Sequence, residues 1–260
     1  MKIPEVRRSE VGRIVLERGR ASITELAEEL KVSEETVRRD LNVLHEKGLV
    51  VKVHGGAITP DRPGLGTYEK RQLSQASEKR RIALAATKLF TPGSSIMIDA
   101  GSTPELVAEY LAPRGAYTVI TNSMTIARQF WRNSDGSTVI MLGGELRVDT
   151  EDTLGEITLN QLAGFNADHA ILAAAGVSET GDIMRYRIDE VMIARAMVAR
   201  AREVTIVADH TKFESIAPMN ICGLQQVTNL VTDRPVSDSF AELAARSGTN
   251  LVIASTNSGG

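Results

Sequence analysis

The chain has 260 residues, 24% of them charged, and a formal net charge of −3. Its single cysteine excludes an internal disulfide and a cysteine-built metal cluster, and its four histidines are scattered without ligand spacing on one helix. The longest uninterrupted apolar run, Ala170 to Val177, falls far short of the roughly 20 residues that span a bilayer. The charged start MKIPEVRRSE is unlike a signal peptide, so a cytoplasmic protein with no membrane association is expected. Residues 1–60 hold 11 Lys and Arg against 10 Asp and Glu, an asymmetry too small to announce a nucleic-acid partner by itself.

In chain order, residues 5–18 read as a first helix, with Val11, Ile14 and Val15 on one face and Gly19 at its end. In ASITELAEEL, Ser22 and Glu25 have capping-box spacing, and Ile23, Leu26, Ala27 and Leu30 follow the helical period. KVS is a short turn. Ser33 can cap a third helix whose inner face is Val37, Leu41 and Leu44, with Gly48 at its end. Two β-prone runs then flank His-Gly-Gly, which suits a tight hairpin. Helix, helix, turn, helix and hairpin make a winged helix-turn-helix, placed at residues 1–58. The Pro- and Gly-rich stretch from residue 59 reads as a linker, extended to residue 76.

From residue 77 to 256 helical patterns alternate with short apolar runs. The helices are expected over 79–89, 104–111, 123–131, 188–201 and 238–247, and the strands are SIMID, TVIT, STVIML, HAILAA, VTIVAD, NLVT and NLVIA. This alternation predicts an α/β domain around a mostly parallel sheet covered on both faces. NSGG at the end reads as a tail.

Two places carry chemistry. The third helix turns Glu35, Thr36, Arg38, Arg39 and Asn42 outward. Arginine can grip phosphate or pair with guanine and asparagine can pair with adenine, so the helix is equipped to enter a major groove. The plainer reading is a solvated face with Arg39 paired to Glu35. The helix-turn-helix and hairpin context favours DNA, with Ser33 at the helix start included in the DNA-facing set. Asp40 has the wrong charge for phosphate and is expected to hold the domain together.

The second place is the loop DAGST, where Asp99, Gly101, Ser102 and Thr103 lead into a helix opened by Pro104. A helix start with hydroxyls is an anion site or simply a Ser/Thr cap. Thr121, Asn122 and Ser123, and then Gly143 and Gly144, also follow strands, so the three loops can line one crevice. Lys212 is either a phosphate partner or a surface lysine, and Glu190 is read as a partner of its helix N-terminus.

The run ITELAEELKVSEETVRRDLNVLHEKGLVVKVHGGA resembles the N-terminal domain of the DeoR family of bacterial transcription regulators, with its Val-Ser turn, Thr-x-Arg-Arg-Asp-Leu helix and His-Gly-Gly-Ala wing. The resemblance implies that Thr36, Arg38 and Arg39 contact double-stranded operator DNA, helped by Lys52 and His54 of the wing. Asp-x-Gly-Ser-Thr, Thr-Asn-Ser, Gly-Gly and Asp-x-x-Lys-Phe occur in the same order in that family's sensor domains. Those domains are similar to ribose-5-phosphate isomerase and the CoA transferases and bind phosphorylated sugars. By that likeness Asp99, Gly101, Ser102, Thr103, Asn122 and Lys212 are effector ligands, and Lys79 matches a frequent family lysine. The chain departs from the family at Ala194, where a lysine is common, and at Arg185, Tyr186 and Arg187. That basic cluster either meets a different or larger anion, with Arg185 among the effector contacts, or is a surface loop.

The expected function is therefore a transcriptional regulator, a repressor of a carbohydrate catabolic operon. It works as a homo-oligomer, dimer or tetramer, under a small anionic metabolite, without cofactor, metal or catalysis. The alternative is a sugar-phosphate isomerase-like enzyme carrying a DNA-binding domain, with Asp99 or Glu190 as base.

Overall fold

The computed structural model describes residues 4–46, 49–53, 55–58, 68–133, 136–213 and 215–254, which divide into two compact units between Arg71 and Gln72. In the first, α1 (Pro4–Arg18), β1 (Arg20–Ser22), α2 (Ile23–Leu30) and α3 (Glu34–Glu46) are followed by β2 (Val51–Val53) and β3 (Gly56–Ile58), and the division falls within α4 (Tyr68–Leu73).

The capping box at α2 is complete. The Glu25 N–H donates to Ser22 Oγ at 3.2 Å, and the Ser22 N–H donates to Glu25 Oε2 at 2.8 Å. Lys31 ends α2 in the left-handed region at φ 53°, and its N–H closes onto the carbonyls of Ala27 and Glu28. Val11, Ile14, Val15, Leu26, Leu30, Val37, Leu41 and Leu44 form the core of this unit.

The hairpin belongs to a three-stranded sheet in the order β1-β3-β2, in which Ala21 pairs with Ala57. Three residues are too few to show a period, so β1 is invisible in the sequence pattern. His54 lies outside the described residues, as do 59–67 of the expected linker. Tyr68–Leu73 is helical rather than linker, because the breakers end at Gly66 and YEKRQL is composed mostly of helix formers.

Asp40 does hold the unit together. It is 1% exposed, and it accepts from Arg7 Nε at 2.5 Å and Arg8 Nε at 3.1 Å, tying α3 to α1. Asp40 in turn keeps the Arg7 guanidinium more firmly protonated than usual.

The second unit runs α5 (Ala76–Ala86), β4 (Ser95–Ile98), α6 (Ser102–Leu111), β5 (Thr118–Thr121), α7 (Met124–Asn133), β6 (Thr138–Met141), β7 (Glu145–Arg147), β8 (Asp152–Leu154) and α8 (Glu156–Leu162). It continues with β9 (Ala167–Ala173), β10 (Gly176–Val177), β11 (Asp182–Arg185), α9 (Ile188–Arg200), β12 (Ala201–Val207), β13 (Met219–Gly223), β14 (Asn229–Thr232), α10 (Asp238–Ser247) and β15 (Asn250–Ile253).

The seven expected strands make one parallel sheet in the order β15-β14-β12-β9-β4-β5-β6. Side chains alternate across it. Ile96, Ile98, Val119 and Ile171 pack with α5, α6 and α7 through Ile82, Val107 and Phe130. Met97, Ile120, Ala170 and Leu172 pack with α8, α9 and α10 through Leu162, Val191, Met197 and Phe240. Both faces are covered, which is why the strands read as apolar runs. Residues 145–154 and 176–223 add what the sequence pattern did not show, a β7–β8 hairpin and a small sheet in the order β10-β11-β13.

The fold makes two expectations. Asp40→Ala leaves two guanidinium groups without their buried carboxylate and is expected to destabilise the first unit by roughly 3 kcal/mol. Hydrogen exchange should accelerate at the α1 and α3 amides and stay unchanged in the seven-stranded sheet. Hydrogen bonds from the Ser22 N–H and hydroxyl hold the Glu25 carboxyl below its ordinary range. Its stabilisation of α2 is thus present above the unfolded glutamate value and lost as pH falls through the folded one, readable as faster exchange of the α2 amides in acid.

Candidate functional site

In the first unit the candidate face is the outer side of α3. Val37, Leu41 and Leu44 point into the core, which leaves Arg38, Arg39 and Asn42 exposed. Both sequence readings of the arginines coexist. Arg38 Nη2 reaches Glu34 Oε2 at 2.8 Å, and Arg39 Nε reaches Glu35 Oε1 at 3.3 Å, while the Arg39 side chain remains 78% exposed. An exposed i,i+4 pair is worth about 0.3–0.5 kcal/mol, whereas a bidentate guanine contact contributes about 1–3 kcal/mol of discrimination. The pairs therefore do not bar the arginines from a negative partner.

Ser33 Oγ accepts from the Thr36 N–H at 3.3 Å and lies 2.9 Å from Thr36 Oγ1, so it is the cap of α3. Lys52 on β2 donates to Asn42 Oδ1, which joins wing and helix into one surface.

In the second unit the chain runs outward through β4, β5 and β6, then returns to β9 on the other side of β4 and runs outward again through β12, β14 and β15. The direction reverses between β4 and β9, and in open α/β sheets ligands sit beyond the strand ends at such a point. Asp99 and the loop into α6 occupy it. Gly101 adopts φ 151°, which side chains rarely accept, so the turn calls for glycine, while a Cβ there would make only ordinary contact, 3.4 Å from Pro104 Cδ and 3.7 Å from Ala173 Cβ.

Ser102 opens α6, and Lys79 Nζ on α5 donates to its hydroxyl at 3.2 Å. The Ala100 N–H donates to Asp99 Oδ1 at 2.8 Å and to Asn122 Oδ1 at 3.2 Å. Asn122 Nδ2 donates to the Thr153 carbonyl at 3.3 Å. Thr103 is buried in the first turn of α6.

Asp99 is 2% exposed, and Arg185 Nη1 at the end of β11 meets its Oδ2 at 2.7 Å. Arg185 Nε donates to the Ala173 carbonyl of β9 at 3.1 Å. Burial pushes the Asp99 carboxyl up, Arg185 opposes the shift, and Glu190 and Asp152 add to it. Arg185, expected as an effector contact or part of a surface loop, is in fact 6% exposed on a strand and paired inside the protein. Tyr186 is half-buried, with its hydroxyl 3.5 Å from the Ile216 carbonyl.

Several sequence candidates serve the scaffold. Thr121 Oγ1 donates to the Ile98 carbonyl at 2.6 Å and accepts from the Ser123 N–H at 3.0 Å. Ser123 Oγ accepts from the Ile126 N–H at 3.3 Å. The Gly143 N–H donates to Gln161 Oε1 at 3.0 Å, and Gly144 packs on Thr158, so both glycines face α8. Lys212 follows β12 and lies 3.6 Å from Asp209 Oδ2. Gly143 and Gly144 thus belong to the α8 side, and Lys212 to the turn after β12.

Sequence reasoning missed Arg147 and Asp152. Arg147 Nη2 meets Asp152 Oδ2 at 2.8 Å, and its Nη1 meets Glu190 Oε1 at 3.0 Å. Arg187 joins them, 2.6 Å from Asp189 and 3.7 Å from Glu190. Nothing in the local pattern of ELRVDTED separates Arg147 from an ordinary loop arginine. Glu190 is therefore a partner of two arginines as well as a first-turn acid. Ala194 lies in the core of α9, so no cation enters the cleft from that position. No group of residues fit to hold a metal ion occurs among the described residues, and no described helix is long and apolar enough to cross a membrane.

The model of the DeoR-like helix-turn-helix domain matches residues 7–62, and that of the DeoR C terminal sensor domain matches residues 74–234. A glycerol-3-phosphate regulon repressor of Escherichia coli (strain K12) is 35% identical, covering 85% of this chain and 88% of that protein. The HTH-type transcriptional repressor CsqR of the same strain is 36% identical over 85% of this chain and 84% of its own length. The HTH-type transcriptional repressor GlcR of Bacillus subtilis (strain 168) is 30% identical over 88% of each chain. A ribose 5-phosphate isomerase A structure from Methanocaldococcus jannaschii aligns with 54% of this chain and 55% of its own at 19% identity and a TM-score of 0.40, too loosely to bear on activity.

Arg39→Ala is expected to weaken operator binding at least tenfold at fixed salt, measured by fluorescence anisotropy. The melting profile should stay unchanged, because the pair it removes is exposed.

Proposed function

Because the chain belongs to the DeoR family of transcription regulators, we propose that it represses a carbohydrate catabolic operon and leaves the operator when a phosphorylated sugar or related anionic metabolite binds its second unit. The three relatives named above are repressors, which sets aside the isomerase-like alternative. Residues 1–58 read double-stranded DNA, and residues 77–256 bind the effector and mediate self-association. The protein works in the cytoplasm.

One observation carries the effector reading. At the point where the sheet reverses direction, the N-terminus of α6 offers the Ser102 hydroxyl, and Lys79 reaches that hydroxyl from α5. The first N–H groups of a helix have no partner inside it, and the helix dipole adds positive potential, so a phosphate finds donors and charge together. Asp99, Gly101, Thr103 and Asn122 shape the floor of this site. The scaffold contacts of Thr121, Ser123, Gly143 and Gly144 fit a supporting role, and Lys212 stands one strand further out.

DNA contact comes from Thr36, Arg38, Arg39, Asn42 and Lys52, with His54, outside the described residues, as a further candidate from the sequence. A single small head buries too little surface for operator affinity, so the chain acts as a homo-oligomer on paired half-sites about 34 Å apart or a multiple of that. Effector binding favours an assembly whose heads no longer match the half-site spacing, and it must bind the two assemblies unequally to do so.

The test uses full-length protein and an operator fragment selected from genomic DNA. Binding should fall steeply with salt, and phosphorylated sugars should release the DNA. Ser102→Ala is expected to keep operator affinity and to blunt release by at least tenfold in effector concentration. A wild-type response in that variant removes Ser102 from the site.

A further inference from the structure

Asn42 and Lys52 are both exposed, yet they are not independent. In α3, Val37, Leu41 and Leu44 are buried, and Asn42 stands on the outer side. Lys52 comes from β2 of the wing, and its ammonium donates to Asn42 Oδ1. The ties of Arg38 and Arg39 are of another kind, because their acid partners sit one turn back on the same helix. The bond from Lys52 bridges two separate elements that the sequence assigns to the DNA-facing surface.

The strand that carries Lys52 is anchored to α3 by its own contacts. The Leu49 N–H donates to the Leu44 carbonyl at 2.8 Å, His45 Nδ1 lies 3.1 Å from the Val50 carbonyl, and Val50 is buried. Lys52 is in ladder register with Ala57, which is buried too. Making the bond therefore orders a lysine side chain and little backbone, so its entropic cost is smaller than that of a contact from a loose loop.

The two ends of an asparagine amide are alike in shape and opposite in chemistry. Unrestrained, the group can turn either end toward a duplex. An ammonium has donors and no acceptor, so beside Lys52 the carbonyl end must face the wing. The Nδ2 end then points away from the wing as a donor. The positive charge against Oδ1 polarises the amide and makes its N–H groups better donors. One lone pair of Oδ1 stays open, so the asparagine–adenine pair, which accepts from N6 and donates to N7, remains available in one amide orientation.

We propose that Lys52 is a positioning residue for sequence reading, which fixes through Asn42 Oδ1 the end of the Asn42 amide that meets the base edges. This role rests on the proposed entry of α3 into the major groove and adds to it. A lysine that only clamps phosphate sets register and carries no base preference, whereas Lys52 acting through Asn42 carries one.

The experiment is selection of bound duplexes from a random-sequence library by the full-length protein, as wild type, Asn42→Ala, Lys52→Met and the double variant. Anisotropy titrations on the wild-type-selected duplex and its single-base-pair variants follow. Both side chains are exposed, so each variant should melt like wild type. Asn42→Ala should flatten preference at one base pair of the half-site, from about fivefold or more to about twofold or less. Lys52→Met should flatten the same pair, and the double variant should lose no more preference there than Asn42→Ala alone. If Lys52→Met instead weakens every duplex equally and lowers the salt slope by about one, with all preferences intact, the lysine is a phosphate contact and the proposal is overturned. Flattening of a different pair by Lys52→Met, or of none by Asn42→Ala, overturns it as well. In each of these outcomes the wild-type protein still selects a sequence, so the DNA-reading role of the first unit stands. A wild-type protein that enriches no sequence removes that role, and the proposal with it.

Discussion

Asp99 is a deeply buried carboxyl, and Arg185 is the cation set against it, opposing the upward push of burial. The pair joins elements that share no strand ladder: Asp99 directly follows β4 of the seven-stranded sheet, and Arg185 ends β11 of the small one. The same guanidinium holds the Ala173 carbonyl, so one side chain fixes three chain ends around the reversal point. α9 starts just after Arg185, and Glu190 in its first turn reaches back to Arg147 beside the β7–β8 hairpin. The loop between β4 and α6 is thus tied by the Asp99–Arg185 ion pair and by hydrogen bonds from Ala100 and Asn122.

The first unit uses arginine in two opposite ways, and burial decides which. Arg7 and Arg8 turn inward around Asp40, where the low exposure of the carboxylate makes their contacts structural. Arg38 and Arg39 turn outward, where pairing to Glu34 and Glu35 is weak enough to exchange for another partner. Of the two adjacent acid-facing arginine pairs, the outer one is the more exposed, at 49% and 78% for the Arg38 and Arg39 side chains against 11% and 34% for Arg7 and Arg8.

Much of this was legible in the sequence where a period or a cap runs long enough to register. The helix-turn-helix, the Ser22–Glu25 box, all seven strands of the parallel sheet and the loop at Asp99 could be read from spacing alone. What was lost is short. β1 and β7 have three residues each, β11 has four and α8 has seven, so none repeats its pattern enough to stand out. Arg147, Asp152 and Arg185 sit on such pieces, and their meeting depends on the small sheet and on α9, which no local pattern encodes. Thr121 and Ser123 show the reverse difficulty. Hydroxyls at a strand end look the same in sequence whether they serve a ligand or, as here, donate to and accept from the backbone of Ile98 and Ile126.

In the wing, β3 is flanked on both sides, by β2 and by β1. Gly56 lies so close to the Ala21 carbonyl that any side chain there would collide with it. The strand is thereby clamped to the residues that lead into α2, and Lys52 ties its neighbour to α3. A hairpin held in this way would have little freedom to surrender on settling against a duplex. Any contribution it made to affinity would be diminished correspondingly little by lost conformational entropy, so the shape of the groove would weigh more heavily than for a floppy arm.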